Sequence, residues 1–193
     1  MTKWLSHRMV ERGIIKEEEQ ELYQFGIRNG MILLLNVVTA LVIGLLTEQL
    51  AVVAVFTLSF MVLRSYTGGY HSDSRIFCYL GSNLVLLVPV YTQAVFYKTS
   101  LAWLLAVLLV SAGIIFLLSP MHSKNRKLDK EEQKYFGRKA RLTAALELAV
   151  LGILWHAGQI PYAYAVYTGI CITALFMLVG KAQLWIQSHT ENG

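Results

Sequence analysis

The sequence predicts an all-α, polytopic membrane protein with six transmembrane helices, folded as one integral membrane domain over residues 1–193. Three observations predict it. Charged residues make up 15% of the chain and hydrophobic residues 55%, whereas a soluble domain carries about 25% charged residues. The apolar residues gather into uncharged runs of spanning length. The basic residues fall on one side of those runs.

The formal net charge of +5 would point to nucleic acid in a soluble protein. Here the excess sits in one loop between apolar runs, so membrane orientation is the simpler cause and no nucleic-acid partner is expected. Two cysteines, Cys78 and Cys171, cannot make a disulfide framework. No cleavable signal-peptide pattern is read at the N-terminus, which is polar through Arg28.

Residues 1–28 read as an interfacial amphipathic segment. Trp4, Leu5, Met9 and Val10 form one face, Gly13 interrupts, and a second helical pattern runs from Glu17 to Ile27. A solvated leader is the plain alternative. The membrane bundle then occupies residues 29–180. Arg28 and Glu48 bracket the first span. The second run, Gln49–Leu63, reaches roughly 22 Å, short of a hydrocarbon core of about 30 Å. Either this helix continues through Arg64 toward Thr67, with Arg64 at the interface, or it ends inside the membrane, with Arg64 in a protein-lined cavity; the shortness leans to the second. Arg75 and Lys98 bracket the third span, with a kink expected at Pro89. The fourth ends near Ser119-Pro120. A basic loop, 120–141, precedes Leu142–His156 and Tyr162–Gly180, the fifth and sixth spans, parted by Gly158 and Pro161.

With six alternating spans, residues 1–28, 64–75, 120–141 and 181–193 share a side that holds every Lys and Arg except Lys98. The positive-inside rule puts that side, with both termini, in the cytoplasm. The expected location is the plasma membrane, multi-pass.

Chemistry converges on Arg64–Cys78, which faces the cytoplasm. His71 and Cys78 are seven residues apart; on one continuous helix they would lie about 10 Å apart along the axis, too far for a thiol–imidazole pair. The chain must turn between them. Gly68 and Gly69 suit the end of a helix, and Ser72, Asp73 and Ser74 are N-cap types. A cap there puts Cys78 in the first turn of the third membrane helix, where the helix dipole favours the thiolate. On these residues alone, catalysis and a structural role for the pair remain equally open.

Arg64, Gly68-Gly69, His71 and Cys78 at this spacing, between the second and third of six spans, resemble the accessory gene regulator B (AgrB) family. So do Ser119-Pro120 followed by Lys124-Asn125-Arg126-Lys127, and Tyr23-Gln24-Phe25-Gly26 before the first span. The resemblance implies a membrane cysteine endopeptidase that processes a quorum-sensing peptide precursor. Cys78 would be the nucleophile and His71 the general base. The precursor's C-terminal tail would leave from a thioester, which an internal Cys or Ser would close to a thiolactone or lactone. No cofactor is implied. The partners are the precursor peptide and the bilayer, and the resemblance is compatible with a homodimer.

Supporting roles fall to Arg64, as a partner for a precursor carboxylate or a snorkelling arginine; to Gly68 and Gly69, as turn formers and oxyanion donors; to Ser72 and Asp73, as orienters of His71 or simple N-caps; and to Ser82, one turn after Cys78, as a site-lining or packing residue. Glu147 in the fifth span is expected to pair with Arg141, Lys139 or Arg64. Asn36 and Asn83 are expected to bond between helices. Two other classes stay open. A zinc-dependent hydrolase would draw on His71, Cys78, His122 and His189, without any HExxH or CxxC spacing. A transporter or scaffold would need buried charge pairs in several spans, and only Glu147 is of that kind.

Overall fold

The computed structural model describes residues 2–68, 75–121 and 129–190, with the backbone alone for 2, 75–78 and 187–190. All regular structure among these residues is helical: α1 (Thr2–Glu11), α2 (Gln20–Leu46), α3 (Leu50–Thr67), α4 (Arg75–Tyr91), α5 (Gln93–Lys98), α6 (Leu101–Leu118), α7 (Lys130–His156) and α8 (Ile160–Thr190), with one 3-10 turn at Glu17–Glu19. Four segments are long and apolar enough to cross a membrane: Glu17–Leu46, Leu50–Thr67, Leu101–Leu118 and Ile160–Ile186.

The chain divides into two units, Met1–Thr39 and Ala40–Gly193. In the first, α1 is held by local contacts. The Arg8 guanidinium lies 5.1 Å from the Trp4 ring centroid, and the Ser6 hydroxyl donates to the Lys3 carbonyl at 3.1 Å. Gly13 at φ +65° ends the helix, while the Ile14 amide returns to the Met9 carbonyl, satisfying an end that would otherwise be open. The helical pattern expected over Glu17–Ile27 is present. It does not stop at residue 28: α2 runs unbroken from Gln20 to Leu46, because neither Gly26 nor Gly30 meets a neighbour or a positive φ that would break it.

The second unit is built around α8. From Ala163 to Ala174 nearly every side of this helix is buried, with Tyr164, Ala165, Val166, Ile170 and Thr173 almost fully enclosed. Its most extensive neighbour is α3, whose inner face repeats at helical spacing: Val52, Phe56, Ser59, Leu63 and Thr67. The two backbones approach closely at Gly169, where an added methyl would lie 2.6 Å from Ser59 Oγ. The α7 helix adds a stripe of small residues, Gly137, Ala140 and Ala144, the kind that allows close helix contact in a membrane.

Several expected spans take a different form. The second span takes the first of its two expected forms. Its helix continues through Arg64 to Thr67, 18 residues or about 27 Å. The third is two helices. Pro89 lies within α4, but the chain breaks at Thr92. Pro89 has no N–H to continue the ladder, and the Thr92 hydroxyl bonds the Val88 carbonyl at 2.8 Å while lying 2.6 Å from the Tyr164 hydroxyl. That buried tyrosine fixes the bend. The stretch 120–141 is not all loop: from Lys130 it is the start of α7. Asp129 caps this helix, accepting from the Glu132 amide at 2.7 Å, while Glu132 reaches back to the Asp129 amide. The α8 helix runs ten residues past the expected end at Gly180.

The expected tight connections at Glu48, Lys98 and Gly158 are short links between consecutive helices. Glu48 takes φ 57° and Gly158 φ 74°, and the amides of Gln49 and Gln159 close back on Gly44 and Leu154.

The α3–α8 approach yields a measurable expectation. Gly169→Val forces atoms into the Ser59 side chain, an overpacking that costs roughly 1–3 kcal/mol. The midpoint of thermal unfolding in detergent should fall, whereas Gly113→Val, with open space around it, should not lower it. Equal midpoints for the two variants would remove the close approach from the account.

Candidate active site

The α3 helix delivers Arg64 and Gly68 to the end of the second unit where α6 stops and α7 begins. Arg64 is half-buried and folds back along its own helix. Its Nη1 donates to the Gly68 carbonyl at 2.8 Å, a charge-assisted bond to a helix-end acceptor that has no intrahelical donor. The guanidinium also stands 5.1 Å from the Phe176 ring centroid of α8. Arg64 thus ties the end of α3 to α8.

Gly68 ends α3 at φ 71°, ψ −150°, a backbone region open to glycine and strained for other residues. It is also confined by a second strand of chain. A methyl here would lie 2.6 Å from the Met121 carbonyl oxygen. One residue earlier, the carbonyl of fully buried Thr67 accepts the Met121 amide at 2.9 Å. The chain leaving α6 therefore docks where the chain leaves α3.

Cys78 is the fourth residue of α4, in its first turn, as the cap argument expects. Ser82 follows one turn later on the same helix and is half-buried. Gly69, His71, Ser72 and Asp73 lie outside the described residues, as does the Cys78 side chain. So do His122 and Lys124–Lys127 of the basic loop, and the side chain of His189. Among the described residues no three His, Cys, Asp or Glu side chains converge as a metal site would require.

Glu147 differs from expectation. Its Oε2 accepts from the Ser59 hydroxyl at 2.7 Å. The basic partners expected for it are engaged elsewhere: Arg141 Nε donates to the Phe116 carbonyl at 3.2 Å, Lys139 lies over the Tyr135 ring, and Arg64 holds Gly68. The reason is register, since Ser59 faces α7 through the gap left by Gly169. Nor do the asparagines bond between helices through their carbonyl oxygens. Oδ1 of Asn36 and of Asn83 is buried without a hydrogen-bond partner.

Sequence reasoning missed Thr67, Met121 and Gly137. The first two act through main-chain groups and carry no side-chain signal. Gly137 did carry one, as the first member of the small-residue series Gly137, Ala140, Ala144 at helical spacing. An apolar cavity of about 270 Å3, lined by Phe96, Leu104, Leu108, Trp155 and Tyr167 among others, opens at the opposite end of these helices. It holds none of the residues singled out for catalysis.

Among the described residues all regular structure is helical, four apolar helices reach spanning length, and a glycine-ended helix precedes a cysteine in the first turn of the next; these are the features of a membrane protein. A family model for accessory gene regulator B matches residues 1–178. The chain belongs to that family, and its role is in quorum-sensing peptide processing. It is similar to an AgrB-like protein of Clostridium perfringens strain SM101, 23% identical over 165 residues that cover 81% of this chain and 77% of the relative. It is also similar to AgrB-like protein 2 of Clostridium perfringens strain 13, 25% identical over 148 residues covering 72% of this chain and 69% of the relative. No solved structure matches.

Gly68→Ala tests the confined turn. Strain at this backbone conformation costs about 1–3 kcal/mol, and the contact with Met121 adds to it. The thermal midpoint should fall well below that of Ser65→Ala, an exposed position whose hydroxyl only returns to the Met61 carbonyl. A Gly68→Ala protein as stable as wild type would show that the turn is not confined.

Proposed function

We propose that this protein is a membrane cysteine endopeptidase that removes the C-terminal tail of a quorum-sensing precursor peptide and leaves the signal portion activated for cyclisation. Family membership supports the substrate class. The observation that carries the mechanism is the placement of Cys78 in the first turn of α4, directly after the segment opened by Gly68. At a helix start the dipole stabilises a thiolate. His71 accepts the thiol proton, and the thiolate attacks the precursor's scissile carbonyl. The carbon–sulfur bond forms as the carbon–nitrogen bond breaks, and His71 returns the proton to the leaving amine of the tail. Main-chain amides at Gly68-Gly69 serve the tetrahedral oxyanion.

The thioester keeps its acyl-transfer potential. A Cys or Ser within the same precursor attacks it, the Cys78 thiol is released, and the product is a thiolactone or lactone ring. Water competes for the thioester, so a site at membrane depth favours ring closure. Ser72 and Asp73 orient His71, and Ser82 lines the site one turn beyond Cys78.

In the membrane the chain crosses six times, with both termini in the cytoplasm. The bent α4–α5 pair and the apolar second half of α7 supply the two crossings beyond the four long apolar helices. Residues 1–19 lie along the cytoplasmic surface, and the first turns of α2 lead from there into the first crossing. The charge distribution supports this orientation, since only Lys98 among the basic residues falls on the far side. The catalytic segment then meets a cytoplasmic or membrane-associated precursor.

In vesicles supplied with a precursor, Cys78→Ala and His71→Ala should each abolish tail release while the protein still inserts, and iodoacetamide should inactivate the wild type and Cys171→Ala alike. Tail release by Cys78→Ala at the wild-type rate would exclude this nucleophile.

A further inference from the structure

Residues 119–121 run from the end of α6 to the edge of the basic loop, and they are held on three sides. On α3, the Thr67 carbonyl takes the Met121 amide at 2.9 Å, and the Met121 carbonyl abuts Gly68. On α7, Gly137 is buried beneath Pro120: a methyl there would lie 3.0 Å from Pro120 Cδ and 3.6 Å from the Ser119 carbonyl oxygen. On α8, the buried Ser119 hydroxyl donates to Met177 Sδ at 3.9 Å. Arg141, one turn after Gly137 on α7, donates to the Phe116 carbonyl in the last turn of α6. Every polar contact in this set engages a main-chain group or a buried side chain. The place where the chain leaves α3 is therefore fixed by a second chain segment seated on a third helix.

We propose that Ser119–Met121 is a strap that positions the Gly68 turn for chemistry at Cys78, and that Gly137 is its seat. This rests on the peptidase reading above. Gly137 touches no substrate in this account. It acts through Pro120 and Met121, and those act on Thr67 and Gly68. A side chain at 137 lifts the strap from α7, and the Met121 amide moves with it. Gly68 has little room for a compensating shift, since even a Cβ added to it would lie 2.6 Å from the Met121 carbonyl oxygen. The end of α3, from which the chain continues toward His71, is then displaced. A displacement of about 1 Å in a catalytic group lowers turnover by up to about 100-fold.

The test is a size series at two glycines of the same helix: Gly137→Ala and Gly137→Val, against Gly152→Ala and Gly152→Val. Gly152 has open space around it. Both positions gain the same intrinsic helix propensity on Gly→Ala substitution, so helix weakening does not separate them. Three quantities are read in vesicles: kcat and KM for tail release, and the pH profile of Cys78 alkylation by iodoacetamide.

The strap predicts that Gly137→Val lowers kcat at least about tenfold, with KM changed less than about twofold, and shifts the alkylation profile. Gly137→Ala should show the same pattern more weakly, and the Gly152 variants should match wild type. If Gly137→Val fails to insert, the alanine pair decides. The proposal is overturned if the 137 and 152 series behave alike. It is equally overturned if the 137 variants change KM alone with an unshifted alkylation profile, since the strap would then serve binding. Failure of the peptidase reading is a separate result: Cys78→Ala would still release the tail.

Discussion

The close approach of α3 to α8 at Ser59 and Gly169 is the constraint on which the second unit depends. Without a Cβ at 169, α3 settles deep enough for its inner face, from Val52 to Thr67, to bury against the most enclosed helix of the chain. That contact decides three further things. It aims the Ser59 hydroxyl at Glu147, giving a carboxyl group in an apolar bundle a donor. It sets Arg64 beside Phe176. It also fixes the height at which α3 ends, and with it the position of Gly68. In a membrane, apolar surface alone does little to hold helices together, because lipid tails are as apolar as leucine; close packing of small residues and interhelical hydrogen bonds carry the association. The first is present at this contact, and the second lies beside it, between Ser59 of α3 and Glu147 of α7.

The end of α3 shows how such a bundle satisfies main-chain groups at a helix end. The last carbonyls of a helix lack intrahelical donors. Here Thr67 receives the Met121 amide and Gly68 receives the Arg64 guanidinium. The second of these gives Arg64 a structural duty beside any contact with substrate.

Much of this was legible in the chain itself. Uncharged runs gave the apolar helices, and the placement of glycine and of cap-forming residues correctly put Cys78 at a helix start. The glycine needed at the end of α3 was also visible, though its partner was not. What escaped the sequence was long-range. Pro89 suggests a kink, but the break falls at Thr92 because Tyr164, 72 residues away, stabilises the bend there. Glu147 looks like half of an ion pair until the register of α3 on α8 brings Ser59 to it. The early start of α7 was readable in Asp129 and Glu132, a capping-box pattern hidden inside a stretch whose charge made it look like loop. Met121 contributes only an amide and a carbonyl, and no side-chain pattern announces those.

The central claim is that Cys78 carries the signal portion of the precursor as a thioester. Intact-mass measurement of the purified protein, quenched in acid soon after mixing with precursor, addresses it directly. The account predicts a species heavier than the enzyme by the mass of the precursor without its tail, lost on treatment with neutral hydroxylamine and missing in Cys78→Ala. Release of the tail with no such adduct at any time, or an adduct that survives hydroxylamine and forms equally on Cys78→Ala, would contradict it.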